Sequence, residues 1–422
     1  MTSALVVWFG AEVVGRVRVD DDARFCFAYD EAWLAREARF PISLSLPLRA
    51  DEYVGGAAHT FFGNLLPEGI VRQAVCARLG ISPDNDFALL QAIGGECAGA
   101  LSLLDPAQRP STPDEYAYEQ LTTRRLQDVI DDGVVPLLIG GASTRLSLAG
   151  AQDKIPVAVL DGALHLPLNA APSTHILKLP NPRYPHLPAN EAFVLGLARR
   201  LGFDVVDAEL VTTTEPASLL VARYDRVRSD EPWPAWRLHQ EDLCQATGTP
   251  PLRKYEAEGG PTLVRVTTVI RDSVYRPLVD VPRVLAWQAF NLVIGNSDGH
   301  AKNLSVLYAD GGAKRLAPFY DLVSTREYKG LDRKLAMAIG GRHNPDEIGR
   351  AEWVTLSREL RIAERVVLDL VADVGERSLE ALPAWTEVFR DTYGDHPVLQ
   401  TLPAAVTRRA RRVLRSLSPA RA

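Results

Sequence analysis

The sequence predicts an α+β protein of two lobes, with a small β-containing N-terminal subdomain in front and an all-helical C-terminal lobe behind. Three observations carry this reading. Short strand-like runs open the chain, a hairpin and further strands alternate with helices in its middle, and helical periodicity alone fills its end. The 422 residues suffice for two or three domains, at roughly 100–200 residues each. Hydrophobic residues at 46% and charged residues at 24% can build an ordinary buried core.

The first unit spans residues 1–105. Ala4–Phe9 reads as a strand turning at Gly10 into a second, Val13–Val19. Helical spacing follows over Asn64–Arg78, ahead of a stop at Gly80, and again over Asp84–Ile93. The stretch Leu104–Tyr118 holds three prolines and many polar residues, which places a linker region at 106–135. In the next unit, 136–245, Val157–Leu160 and Ala163–Leu168 flank Asp161-Gly162, a two-residue hairpin signal. His175–Leu179 is a further strand, and Asn190–Leu201 carries Phe193, Leu195, Leu197 and Leu201 at helical spacing before Gly202. The last unit, 246–422, holds an apolar helix over Val284–Val293 and strands over Leu304–Tyr308 and Lys314–Pro318. Helices over Glu352–Leu360, Ala363–Val374, Ala384–Tyr393 and Ala404–Ser416 complete it.

Composition narrows the function classes. Cys26, Cys76, Cys97 and Cys244 lie far apart, without metal-ligand spacing, which reads as reduced cysteines in a cytoplasmic protein. The start of the chain lacks the basic lead of a signal peptide, and no run approaches the ~20 apolar residues of a membrane span. A net charge of −6 argues against tight general DNA binding by the chain alone. The run Arg408, Arg409, Arg411, Arg412 and Arg415 is the exception, either a solvated helix face or an auxiliary contact to nucleic acid or a partner.

The most informative stretch is Ile294 to Leu304, where Asp298 and Asn303 stand as D-x-x-x-x-N, the spacing of a kinase catalytic loop. An aspartate there receives the proton of a substrate hydroxyl, and five residues later an amide oxygen binds a metal carried by ATP. A second metal-binding carboxylate should follow after a strand, a turn at Asp310-Gly311-Gly312 and a strand; Asp321 stands there. Taken alone, Asp298 also reads as a turn residue and Asp321 as a helix N-cap. Lys178, in the short strand, reads as a phosphate contact or an edge charge. Glu191 reads as its ion-pair partner or as an acid favoured in a first helical turn. Neither G-x-G-x-x-G nor a Walker A motif occurs, which argues against Rossmann and P-loop enzymes. The small-residue run Gly140–Lys154 reads equally as a phosphate cover or a surface loop. Gly94–Gly99 reads as a tight structural connection.

Together these segments resemble the HipA family, the kinase component of bacterial HipBA toxin–antitoxin pairs. The words that carry the resemblance are Pro41–Leu48, Phe61–Gly69, Ser147–Lys154, Val221–Arg226, Gln240–Ala246, Ser297–Asn303 and Phe319-Tyr320-Asp321. The resemblance implies a HipA-like, two-lobed kinase fold and a serine/threonine protein kinase using ATP and Mg2+. It makes Asp298 the base and Asn303 and Asp321 the magnesium ligands. The nucleotide would be bordered by Ala149, Gly150, Ala151, Gln152, Asp153 and Lys154, by Lys178, by the hinge Ala222, Arg223 and Tyr224, and by His300, Lys302, Asn303, Tyr320 and Asp321. Ser147 would be the autophosphorylation site, with Ser143 close enough to compete; a phosphate dianion there repels nucleotide phosphates. Some relatives carry an acid where this chain has Ala222. The resemblance also implies a DNA-binding HipB-type antitoxin as partner, DNA reached only through it, and a protein target such as an aminoacyl-tRNA synthetase. A kinase-shaped corepressor and a small-molecule phosphotransferase are the competing readings, because fold alone does not choose a substrate.

Overall fold

The computed structural model describes residues 4–132, 153–227, 235–309 and 312–418. Residues 149–152, Ser147 and Ser143 therefore lie outside the described residues, as do Asp310 and Gly311.

The N-terminal unit is a five-stranded antiparallel sheet of β1 (Ala4–Phe9), β2 (Glu12–Val19), β3 (Phe25–Tyr29), β4 (Tyr53–Val54) and β5 (Leu101–Leu104), in the order β4-β3-β2-β1-β5. Its inward residues, among them Leu5, Val7, Val14, Val17 and Phe27, are fully buried under Phe61 and Phe62 of the helix Gly56–Gly63. The helix expected over 64–78 begins only at Gly69, and a separate helix precedes it. The helix Gly56–Gly63 ends before Leu65-Leu66-Pro67, and a new one runs Gly69–Leu79. Pro67 drives the residue before it out of the α region, while buried Leu65 and Leu66 mimic helical spacing.

A second antiparallel sheet of six strands follows. It contains β6 (Ala117–Gln120), β7 (Lys154–Leu160), β8 (Ala163–Leu168), β9 (His175–Lys178), β10 (Ala208–Val211) and β11 (Ser218–Ala222), ordered β10-β11-β9-β7-β8-β6. The β7–β8 turn is the expected one, with Asp161 and Gly162 both at positive φ, as the tight hairpin requires. The segment read as a linker is more than a tether. Its β6 pairs with β8 from Ala117↔Leu168 to Gln120↔His165, and the helix Thr123–Asp132 follows. The proline-bearing residues themselves form no strand, and the chain joins the free sheet edge only past the last of them, at Ala117.

Two strands, β12 (Arg226–Val227) and β13 (Trp236–Arg237), form a small hairpin. Then β14 (Gln240–Asp242), β15 (Ser305–Tyr308) and β16 (Lys314–Leu316) make a three-stranded sheet. The rest of the C-terminal lobe is helical. Pro277–Ile294 packs against Glu364–Tyr393 and Val398–Leu417, with Trp287, Phe290 and Phe389 of these helices buried. Glu364–Tyr393 is one helix of 30 residues rather than the two expected, running through Pro383. Leu382 and Phe389 are buried on either side of that proline, so tertiary packing offsets the hydrogen bond it removes.

Of the C-terminal arginines, Arg409 turns inward to Glu327 and Arg412 pairs with Asp346. Arg408, Arg411 and Arg415 remain exposed along one helix face. Among the described residues, no helix is long and apolar enough to cross a membrane.

Candidate active site

The Asp298 loop begins where the helix Pro277–Ile294 stops. Gly295, at φ +73°, closes that helix with a left-handed residue whose N–H bonds Asn291 O. Arg409 donates from Nε to Val293 O (3.1 Å) and from Nη2 to Ile294 O (2.7 Å), satisfying carbonyls that a helix end leaves open. Beyond the stop, Asn296 Oδ1 accepts the Asp298 N–H at 3.0 Å and Thr325 Oγ1 accepts the Ser297 N–H at 2.7 Å. Gly299 packs against Asn291, where a Cβ would lie 2.8 Å from Nδ2, so any larger residue would have to displace that side chain. The loop is thus a rigid mount with the Asp298 carboxylate half-exposed in a cleft.

That cleft, about 810 Å³ in volume, lies between the six-stranded sheet and the helical lobe. Lys154 and Lys178 line it from the sheet, and Ala222, Arg223 and Tyr224 from the segment after β11. Asp298, His300, Lys302, Asn303, Tyr320 and Asp321 line it from the other side. Asp153 is not on its wall; its carbonyl accepts the Leu179 N–H.

Lys178 is no edge charge. Its strand β9 lies between β7 and β11, and the side chain is buried. Nζ lies 2.6 Å from Oε1 of Glu191, which the helix Leu187–Arg200 presents from inside, and it also pairs with Asp321. Burial would discharge an ammonium, but Asp321 and Glu191 hold Lys178 well above its ordinary value. Burial would likewise protonate Asp321, yet Lys178 and Lys154 hold it down to about 2. Lys154 is pushed down to about 8 by burial and by Lys178, against the pull of Asp321. Asp321 is not a helix N-cap. It sits at φ +53° in an irregular segment, a left-handed conformation that costs free energy in a non-glycine residue.

Asn303 and Asp321 meet across the cleft floor, with Asn303 Nδ2 donating to Asp321 Oδ2 at 3.3 Å and Asn303 Oδ1 accepting the His300 N–H at 3.1 Å. A half-turn of the amide presents its oxygen beside Asp321. One ionised carboxylate and one amide oxygen suit a magnesium ion that arrives with phosphate and water as its other ligands. Among the described residues, no group of three or more His, Cys, Asp or Glu could cage a metal by itself. His300, buried, is pushed down to about 4 and is neutral at physiological pH.

The segment after β11 is pinned from behind. Arg223 Nη2 pairs with Asp225 at 2.8 Å, and Arg223 and Arg226 both meet Glu96, buried in the N-terminal unit. The Gly99 N–H donates to Asp225 Oδ2 at 2.7 Å. Gly94–Gly99 is structural, as read, but in space it buttresses this cleft wall. Tyr224 stacks on Tyr320, ring centroids 5.6 Å apart, and its hydroxyl donates to Gln240 Oε1.

Glu68, Asn64 and Tyr255 are among the cleft residues that escaped the sequence reading. Glu68 Oε1 lies 2.7 Å from Lys302 Nζ, and its Oε2 lies 2.9 Å from Lys254. Asn64 lines the same wall. Tyr255, 43 residues before Asp298, donates its hydroxyl to Asp298 Oδ1 at 2.5 Å. No spacing rule links positions so far apart; Phe61–Gly69 stood out as a word without a stated role.

Comparison with known proteins finds similar chains over nearly the whole length. Residues 5–104 match the model of the HipA N-terminal domain and residues 146–382 that of the HipA-like C-terminal domain. The protein of Sinorhizobium fredii named "Putative kinase Y4mE" is 41% identical over 419 residues, covering 98% of this chain and 99% of that one. The serine/threonine-protein kinase toxin HipA of Shewanella oneidensis is 29% identical over 395 residues, or 90% and 89% of the two chains. A solved complex of the toxin–antitoxin proteins HipA and HipB with operator DNA, from the same organism, contains a chain that superposes with a TM-score of 0.84. It is 25% identical, with 97% of each chain covered.

Proposed function

Since the chain belongs to the HipA family, we propose that it is an ATP- and magnesium-dependent serine/threonine protein kinase, the toxin of a HipBA-type pair. The observation that carries this reading is the convergence of Lys178, Asn303 and Asp321 in one cleft with Asp298 on its wall.

In this reading Lys178, charged and held by Glu191, contacts the nucleotide phosphates, and Lys154 adds a second positive charge beside it. Asn303 and Asp321 would hold magnesium, which would offset the charge of the phosphates. The backbone at Ala222–Tyr224 borders the adenine, and the stacked Tyr224 and Tyr320 close that end. Asp298 orients an incoming hydroxyl and accepts its proton as the oxygen attacks the γ-phosphorus, whose bond to the bridging oxygen breaks so that ADP leaves. Because the mount is rigid before substrate arrives, little reorganisation is left for the reaction itself.

Regulation and partners follow from the family. Ser147 precedes β7 and Lys154 by a few residues; a phosphate there would compete with the nucleotide for the same ammonium groups. A HipB-type antitoxin is the partner, as in the solved relative named above, and DNA is reached through it. Arg408, Arg411 and Arg415 offer phosphate contacts in such a complex. The compartment is the cytoplasm, and the target is a translation component such as an aminoacyl-tRNA synthetase.

The test is incubation with γ-labelled ATP and magnesium, beside Asp298→Ala, with the phosphosite mapped by mass spectrometry. Label on Ser147 in the wild type and none in the variant is expected. A wild type that binds ATP yet labels neither itself nor any lysate protein would favour the corepressor or the small-molecule phosphotransferase.

A further inference from the structure

We infer that Tyr255 is a positioning residue for Asp298: its hydroxyl occupies one carboxylate oxygen and so aims the other at the acceptor hydroxyl. The inference rests on the role of Asp298 proposed above.

The geometry is specific. Tyr255 Oη donates to Asp298 Oδ1 at 2.5 Å, and the Asp298 N–H is held by Asn296 Oδ1 at 3.0 Å. Among the described residues, no hydrogen bond reaches Oδ2, so that oxygen alone is open to a substrate. A carboxylate on a short side chain rotates about its last torsion. The Tyr255 hydroxyl, donating to one oxygen, removes that freedom before substrate binds, while Asn296 Oδ1 anchors the backbone beneath it. Burial and the adjacent Asp298 charge hold the Tyr255 phenol well above its ordinary value, so the tyrosine is the donor and remains protonated.

Tyr255 is itself fixed on every side, which a merely space-filling side chain would not require. The ring meets His300 edge-on at 5.3 Å, and the Lys254 ammonium sits 5.6 Å over its face. Lys254 is pinned by Glu68 of the N-terminal unit at 2.9 Å. On the other side, the Glu256 N–H bonds Ala336 O (3.0 Å), and Glu256 Oε2 accepts the Ala338 N–H (2.7 Å). The Gly260 N–H bonds the carbonyl of Tyr255 at 2.9 Å. The turn bearing Tyr255 is therefore strapped between the N-terminal unit and the helical lobe, and its hydroxyl has one destination.

Loss of a hydrogen bond to a charged group is worth about 10–100-fold in rate when it acts in the transition state. The experiment compares wild type, Tyr255→Phe and Tyr255→Ala, with casein as acceptor and self-labelling as a second readout, at varied concentrations of γ-labelled ATP. The expected result is a maximal rate down about 10–100-fold in Tyr255→Phe, with half-saturating ATP within about two-fold of wild type and Tyr255→Ala no worse than a few-fold beyond it. A Tyr255→Phe that transfers phosphate at the wild-type rate, or faster, overturns the inference; so does a rate lost only in Tyr255→Ala, which would assign the ring and not the hydroxyl. A wild type that binds ATP and transfers no phosphate overturns the kinase reading itself, and this inference with it.

Discussion

Lys302, next to Asn303 in the cleft loop, lies 2.7 Å from Glu68 of the N-terminal unit, and both side chains are largely buried there. The contact spans 234 positions of sequence and makes the N-terminal unit part of the cleft wall rather than an appendage. Burial alone would raise the Glu68 carboxyl, but Lys302 and Lys254 hold it down to about 2. A folded-state value below the unfolded one contributes stability that is present above about 4.5 and lost as pH falls toward 2. The contribution is on the order of 3 kcal/mol. Glu68→Gln is therefore expected to lower the unfolding free energy at pH 7 and to flatten its fall between pH 4.5 and 2. Denaturant titrations across that range check it; an unchanged acid slope would remove Glu68 from the account.

Lys178→Met is expected to abolish measurable phosphate transfer and also to destabilise the fold. It leaves Glu191 buried without a counter-charge, at a cost of about 3–5 kcal/mol. Asp298→Ala is expected to abolish transfer at little cost in stability, because the carboxylate is half-exposed. Nucleotide titration and thermal melts on the two variants separate these effects. A melt shift as large for Asp298→Ala as for Lys178→Met would contradict the assignment.

Glu96→Ala tests the buttress behind Tyr224. Arg223 and Arg226 would stay buried with only Asp225 to balance them, again costing about 3–5 kcal/mol. Because the pair lies behind the proposed adenine wall, ATP affinity should fall together with stability. Isothermal titration with ATP at a temperature where the variant remains folded is the check. Undiminished affinity would show that the wall stands without its buttress.

Gly196→Ala is expected to destabilise the joint between the helix that carries Glu191 and the long C-terminal helix. A Cβ there would lie 2.1 Å from the Trp385 ring, whose Nε1 donates to Phe193 O at 2.8 Å. Overpacking of this kind costs about 1–3 kcal/mol. A melting temperature equal to wild type would mean that Trp385 repacks freely.

Several elements were legible in the chain because local physics decides them. The strand Ala4–Phe9, the Asp161-Gly162 hairpin and the helix stop at Gly80 depend on side-chain period and on glycine at positive φ, both local properties. The Asp298–Asn303 spacing and Asp321 were also readable, since a loop, a strand, a turn and a strand set their separation within one short segment. Where neighbours in space overruled neighbours in sequence, the reading changed. The region read as a linker supplies an edge strand at Ala117–Gln120, just past its prolines, because β8 offered unpaired backbone groups. The helix Glu364–Tyr393 ran through Pro383 because its buried face was worth more than one hydrogen bond.

The sequence by itself determined the family words, the locally signalled strands, turns and helix stops, and the residue types able to move a phosphoryl group. Only the tertiary structure decided that Lys178 is a buried ion pair and not an edge charge, and that Glu191 faces inward. It alone placed Glu68 and Tyr255 around the Asp298 loop. The reason is that charge state and hydrogen bonding depend on burial and on partners far along the chain. Spacing within a segment carries no information about which distant side chain will fill the space beside it.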